Sequence, residues 1–290
     1  MNITNIIDLE KIKGYRKGPP IGFPYQGSKK KLSRQLFQLI RLENKGKFDF
    51  YDVFGGGIAM TAEALIFRYH TICNIYDVRM RKIVDYIFSG KYNMFDALIP
   101  MQQFYVIRDK SVEDLTPLEC LQLLVNSFGN NFKTYLYAEE DSDTKYKLAV
   151  DILNKYGTSN NYKQSIKYKQ QLQRLQQLQQ LQQLQQPLLE LTSLDYKDIK
   201  IDDFNAVVYL DPPYWNTDCD AYNGIDFSEF CDWINNVNAK AIYISHYRDK
   251  MLDDKFGLPH AVKRNAKSTL QSGTFKKLIT PYEAVYKINK

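Results

Sequence analysis

Apolar positions recur near helical spacing through residues 33–43 (SRQLFQLIRLE), at Leu36, Phe37, Leu39, Ile40 and Leu42, and predict a helix that follows a Gly-Ser-Lys turn. Residues 48–54 (FDFYDVF) are rich in aromatic and β-branched side chains and stop at Gly55, Gly56 and Gly57, as a buried strand running into a turn does. A helix is predicted over 58–69, a second strand over 71–76 ending at Asp77, and helical periodicity again over 80–88. Strand, turn, helix, strand and acid in this order open a doubly wound α/β sheet.

The next strand of this kind, residues 206–210 (AVVYL), ends at Asp211, more than a hundred residues after Asp77. A βα unit needs only about thirty residues, so the interval must hold an inserted subdomain. It carries helical periodicity over 118–125, a turn-rich stretch over 126–132 (NSFGNNF) and then a Tyr/Lys-rich stretch. The expected division is a catalytic unit from 1–95 and 190–290, interrupted by a mainly helical insertion at 96–189.

Inside the insertion, residues 170–186 (QQLQRLQQLQQLQQLQQ) repeat leucine at every third position: Leu172, Leu175, Leu178, Leu181 and Leu184. A period of three drifts by about 60° per repeat on an α-helix, so the leucines spiral around it and form no coiled-coil seam. Gln and Leu are good helix formers and Pro187 ends the run. The tract reads as a tolerated low-complexity expansion, with a dedicated partner-binding helix as the alternative.

Composition changes this picture little. Of 290 residues, 44% are hydrophobic and 25% charged, as in an ordinary globular chain. The formal charge of +6 gathers at 11–34 and 263–277; such clusters favour a polyanionic partner, with a solvated face as the competing explanation. The four cysteines are widely spaced and there are three histidines, so no metal site is expected. No membrane-spanning run or signal-peptide pattern is present, and a reduced, cytoplasmic setting is expected.

Candidate chemistry concentrates where strands end. Asp211-Pro212-Pro213-Tyr214 follows a predicted strand directly, which aims it into the ligand crevice of an open sheet. The two prolines stiffen the turn, and their carbonyls remain able to accept hydrogen bonds. Asp52-Val53-Phe54-Gly55-Gly56-Gly57 lets backbone approach a ligand and leads into a helix N-terminus, and Asp77 ends the next strand where a carboxylate can hold a ribose diol. Tyr25 to Lys31 (YQGSKKK) forms a lysine-rich turn that by itself reads as solvated surface, and Asp195-Tyr196 lies sixteen residues before Asp211.

In this order the segments resemble the Dam-like, alpha-class family of adenine-N6 DNA methyltransferases. The resemblance runs through 24–32 (PYQGSKKKL), 51–60 (YDVFGGGIAM), Asp77, 126–132, Asp195-Tyr196, Asp211 to Tyr214 and, more faintly, 242–246 (IYISH). It implies a Rossmann-like methyltransferase sheet, S-adenosylmethionine as methyl donor, no metal, and duplex DNA as substrate. By it Tyr25 and Lys29 belong to the cofactor segment, with Asp52, Phe54, Gly55 and Gly56 in the glycine loop and Asp77 as ribose acid. Asp195 with Tyr196 is the adenine-binding pair. Asp211, Pro212 and Tyr214 form the catalytic motif.

An adenine amine is a poor nucleophile because its lone pair is delocalised into the ring. Accepting both N–H protons, on Asp211 and on the Pro212 carbonyl, frees that pair for the incoming methyl, while Tyr214 offers a face to a base flipped from the duplex. Asn130 and Lys133 of the insertion, with Arg264 and Lys267 near the C-terminus, are the expected DNA contacts. Ile58 stands where many members carry a second spaced glycine. After Gly129-Asn130-Asn131 the family's arginine-bearing hairpin is replaced by Phe132-Lys133-Thr134-Tyr135, so the recognised sequence is not carried over. A cytosine-N4 enzyme and a non-catalytic DNA-binding relic are the alternatives. A cognate restriction endonuclease is a functional partner left open, and no obligate protein partner is evident.

Overall fold

A computed structural model describes residues 6–13, 21–25, 29–156, 188–213, 225–263 and 283–290, with Arg174, Leu175 and Leu181. Tyr214, Arg264, Lys267, residues 26–28 and the rest of the Gln/Leu tract lie outside the described residues.

Eight strands form one sheet: β1 (Ile7–Asp8), β2 (Phe50–Asp52), β3 (Thr71–Asn74), β4 (Leu189–Thr192), β5 (Asp202–Leu210), β6 (Asn238–Tyr247), β7 (Ala261–Lys263) and β8 (Glu283–Asn289). Their spatial order is β1-β7-β8-β6-β5-β2-β3-β4. Every neighbouring pair is parallel except the two made by β8, which runs antiparallel to β6 and β7. The fold is the expected doubly wound, mostly parallel α/β sheet.

Helices cover both faces. On one, α1 (Ser33–Glu43) and α2 (Ala59–Ile66) press Leu36, Phe37, Ile40 and Ala64 against Phe50, Val207, Tyr209 and Tyr243. On the other, α7 (Phe227–Asn236) and α8 (Lys250–Phe256) cover Ala206, Val208, Leu210, Ile242 and Ile244. Alternate residues of β5 thus enter opposite cores, and this explains why the last five residues of that strand are all buried.

Between α3 (Val78–Phe88) and β4 the chain builds α4 (Met101–Arg108), α5 (Pro117–Asn126) and α6 (Ser142–Tyr156). Thr116 and Glu119 form a capping box, with Pro117 in the first turn, which starts α5 sharply. Its Leu121, Leu124 and Val125 join Ile83, Val84 and Ile87 of α3 in a shared core.

Local chemistry trims several expected elements. The helix expected over 58–69 is the shorter α2, because Ile58 is left-handed (φ 46°) at its start and Arg68 is left-handed (φ 58°) just beyond its end. The helix expected over 80–88 starts earlier, at Val78, because the Asp77 side chain accepts from the Arg79 amide and caps it. Within the Gln/Leu tract the described residues Arg174, Leu175 and Leu181 are 8%, 1% and 0% exposed, and both leucines belong to the core shared with α3 and α5.

Candidate active site

The carboxyl ends of β2, β3, β4 and β5 share one edge of the sheet, and four acids stand there: Asp52, Asp77, Asp195 and Asp211. The order reverses between β2 and β5, the switch point at which open α/β sheets bind ligands.

Asp211 follows β5 at that point. Its Oδ1 accepts a hydrogen bond from Lys29 Nζ at 2.6 Å, and the same ammonium lies 3.3 Å from Glu283 Oε1. Burial pushes the Asp211 carboxyl up to about 7; Lys29 pulls it down, while Glu283 and Asp52 push it further up. A carboxyl balanced near neutrality is suited to accepting a proton. Glu283 in turn accepts from Ser245 Oγ at 2.8 Å. Pro212 is buried beside Asp211.

The glycine loop after β2 is held from three sides. Asp52, fully inside, accepts from the Thr61 amide (3.1 Å) and hydroxyl (2.7 Å), which ties the loop to the first turn of α2. Burial raises this carboxyl to about 6 against the two Thr61 hydrogen bonds. A Cβ at Gly55 would meet Cys73 Sγ at 2.3 Å, so only glycine fits between β2 and β3. Gly56 (φ +26°) passes under the Tyr25 ring, where a Cβ would sit 3.2 Å from it. Phe23 donates to the Gly57 carbonyl at 2.8 Å, so the segment carrying Tyr25 lies on the loop and delivers Lys29 to Asp211.

Asp77 is engaged by Arg79, whose Nε and Nη2 donate to its two oxygens at 3.1 and 3.0 Å. The guanidinium stacks 4.3 Å from the Phe132 ring, joining the end of β3 to the insertion. Asp195 caps the turn that follows it, and the buried Tyr196 packs against Phe54 at 5.6 Å between ring centres. Phe54 and Tyr196, assigned separately from sequence, therefore meet.

Asn130 and Lys133 belong to the insertion, on a tight loop closed by Phe128 donating to Thr134 and by Leu136 donating to Asn126, both at 2.7 Å. Asn130 is left-handed (φ 58°) and Lys133 is exposed.

Sequence reasoning missed Glu283, Asn74, Arg79 and Arg174. Asn74 donates to the Val53 and Leu194 carbonyls and accepts from Thr192 and Leu194, so one side chain aligns the loops after β2 and β4. An Asn at a strand end was the available signal. Arg174 is the one residue that breaks the Gln/Leu pattern; its Nη1 donates to the Val125 and Ser127 carbonyls at 2.7 and 2.9 Å. Among the described residues there is no cluster of three metal-ligating side chains, and no helix is long and apolar enough to cross a membrane.

A family model described as D12 class N6 adenine-specific DNA methyltransferase matches residues 25–252. The sequence matches no curated protein at a significant level. Among solved structures the chain is similar to an rRNA methyltransferase, aviRa, from Streptomyces viridochromogenes, at 14% identity, over 88% of this chain and 83% of that one. The TM-score of 0.33 is too low to bear on fold or function.

Proposed function

Because the chain belongs to the D12 class N6 adenine-specific DNA methyltransferase family, we propose that its methyl donor is S-adenosylmethionine and that it acts on an adenine flipped out of duplex DNA. The observation that carries this reading is the placement of Asp211, balanced near neutrality, at the switch point beside the glycine loop. When bound, S-adenosylmethionine supplies a sulfonium methyl as electrophile.

The residues fit that donor. The loop Phe54 to Gly56 under Tyr25 leads into the N-terminus of α2, and Asp77 and Asp195 follow the next two strands, where a ribose diol and an adenine amine need acceptors. Asp52 holds the loop through Thr61, and Tyr196 backs Phe54. Asp211 and the Pro212 carbonyl accept the two N–H groups of the target amine, and Tyr214 stacks on the base. Transfer is direct and in line, and positioning contributes most of the acceleration.

The catalytic unit comprises 1–95 and 190–290. The insertion, 96–189, reads DNA through Asn130 and Lys133, with Arg264 and Lys267 on phosphates. A cytoplasmic setting belongs to the same reading.

The test is incubation of purified protein with labelled S-adenosylmethionine and unmethylated duplex DNA. Label in N6-methyladenine is expected, and Asp211→Ala should abolish it while S-adenosylmethionine still binds. Label in N4-methylcytosine, or none, overturns the reading.

A further inference from the structure

Among the described strands β8 alone runs against its neighbours, so its first residue, Glu283, arrives at the edge where the parallel strands end. There it faces Tyr247 of β6 and Lys263 of β7 in register. Ser245 Oγ donates to its Oε1 at 2.8 Å, and Lys29 Nζ lies 3.3 Å from the same oxygen while donating to Asp211 at 2.6 Å. The side chains of Lys29, Asp211 and Glu283 are only 10%, 17% and 9% exposed. Glu283 lies beyond residues 25–252, so nothing in the family match assigns it a role.

We propose that Glu283, anchored by Ser245, is a positioning residue for methyl transfer: it draws the Lys29 ammonium between two carboxylates, so that Asp211 remains a strong acceptor for the target amine. The proposal rests on the role given to Asp211 above. An ammonium paired with Asp211 alone would neutralise it and weaken it as an acceptor. With Glu283 3.3 Å away, the ammonium is shared between two carboxylates and neutralises Asp211 less completely.

The chemistry balances. The N6 lone pair forms a bond to the methyl carbon as the carbon–sulfur bond breaks and its electrons remain on sulfur. The proton that the methylated nitrogen then carries moves to Asp211 and leaves to solvent with the products. Other titratable groups around this cluster include Lys263 of β7 and Tyr247 of β6, both in register with Glu283, Asp52 at the end of β2, Tyr209 of β5 and His246 of β6.

Glu283→Gln separates this role from simple stitching of β8 to β6, because the amide oxygen still accepts from Ser245 while the charge is gone. The measurement is kcat against pH, with S-adenosylmethionine affinity and melting temperature as controls. Loss of the negative charge should lower the Asp211 proton affinity, moving the acid limb down by about one pH unit. The plateau should drop by about threefold to tenfold.

An unmoved acid midpoint, with the plateau unchanged or uniformly reduced, overturns the proposal. If the variant does not fold, Ser245→Ala is read the same way: it releases Glu283 from its anchor, so a lowered midpoint supports the role and an unmoved one removes it. Failure of the wild-type protein to form N6-methyladenine would instead defeat the functional reading itself.

Discussion

Lys29 and Asp211, 182 residues apart in the chain, meet at 2.6 Å, and the lysine of a basic turn becomes the counter-ion of the acid in the strand-end motif. The family resemblance assigns Lys29 to the cofactor segment, yet its ammonium reaches Asp211, the acid proposed to be catalytic.

Lys29→Met should therefore act on both chemistry and stability. It removes the ammonium that lies between Asp211 and Glu283, and a buried ion pair that loses one partner costs about 3 kcal/mol. Lys29 lowers the Asp211 pKa, so its removal moves the acid limb of activity above its wild-type position, opposite to the shift expected for Glu283→Gln. A pH–rate profile of the variant checks the direction.

Ile58 should invert the usual ranking of substitutions. It is left-handed at φ 46°, which disfavours a β-branched residue by about 1–2 kcal/mol, yet its side chain is fully buried, worth about 3 kcal/mol on truncation. Ile58→Ala loses the burial and keeps the backbone strain, whereas Ile58→Gly loses the burial and relieves it. Both are destabilised in urea unfolding, with Gly about 1 kcal/mol more stable than Ala, the reverse of the order inside a helix.

Arg174 should couple the Gln/Leu tract to the loop proposed to read DNA. Its guanidinium satisfies the carbonyls of Val125 and Ser127, at the end of α5 and just before Asn130. Arg174→Ala is expected to destabilise the protein by about 2–3 kcal/mol through unsatisfied buried groups. The KM for DNA should rise more than the KM for S-adenosylmethionine. Deleting residues 172–185 also removes Leu175 and Leu181 from the core, and calorimetry should show a lower melting temperature or loss of folding.

Glu43 predicts an acid-dependent loss of stability. Burial alone would raise its pKa, but hydrogen bonds from His260 (2.6 Å), Tyr243 (2.7 Å) and Lys287 (3.0 Å) bring it down to about 2. A depressed carboxylate pKa stabilises the fold fully above its unfolded value, near 4.5, and the contribution fades as the pH falls through about 2. Glu43→Gln should cost about 2 kcal/mol at neutral pH, and the gap to wild type should close as the solution approaches pH 2. Guanidinium unfolding at a series of pH values checks it.

The sequence by itself determined the alternation of strand and helix, the acids at the strand ends and the interruption after the second of those strands. These are local patterns: hydrophobic period, glycine after a strand, carboxylate before a helix. Tertiary structure alone decided which distant groups share the site. Glu283 is an ordinary glutamate until β8 turns antiparallel and delivers it beside Lys29. Arg174 is hidden in a repeat until it reaches two backbone carbonyls nearly fifty positions away. Arg79 gains its meaning only where Asp77 and Phe132 converge. Such contacts depend on sheet order and strand direction, which arise from the packing of the whole chain and leave no periodic trace along it.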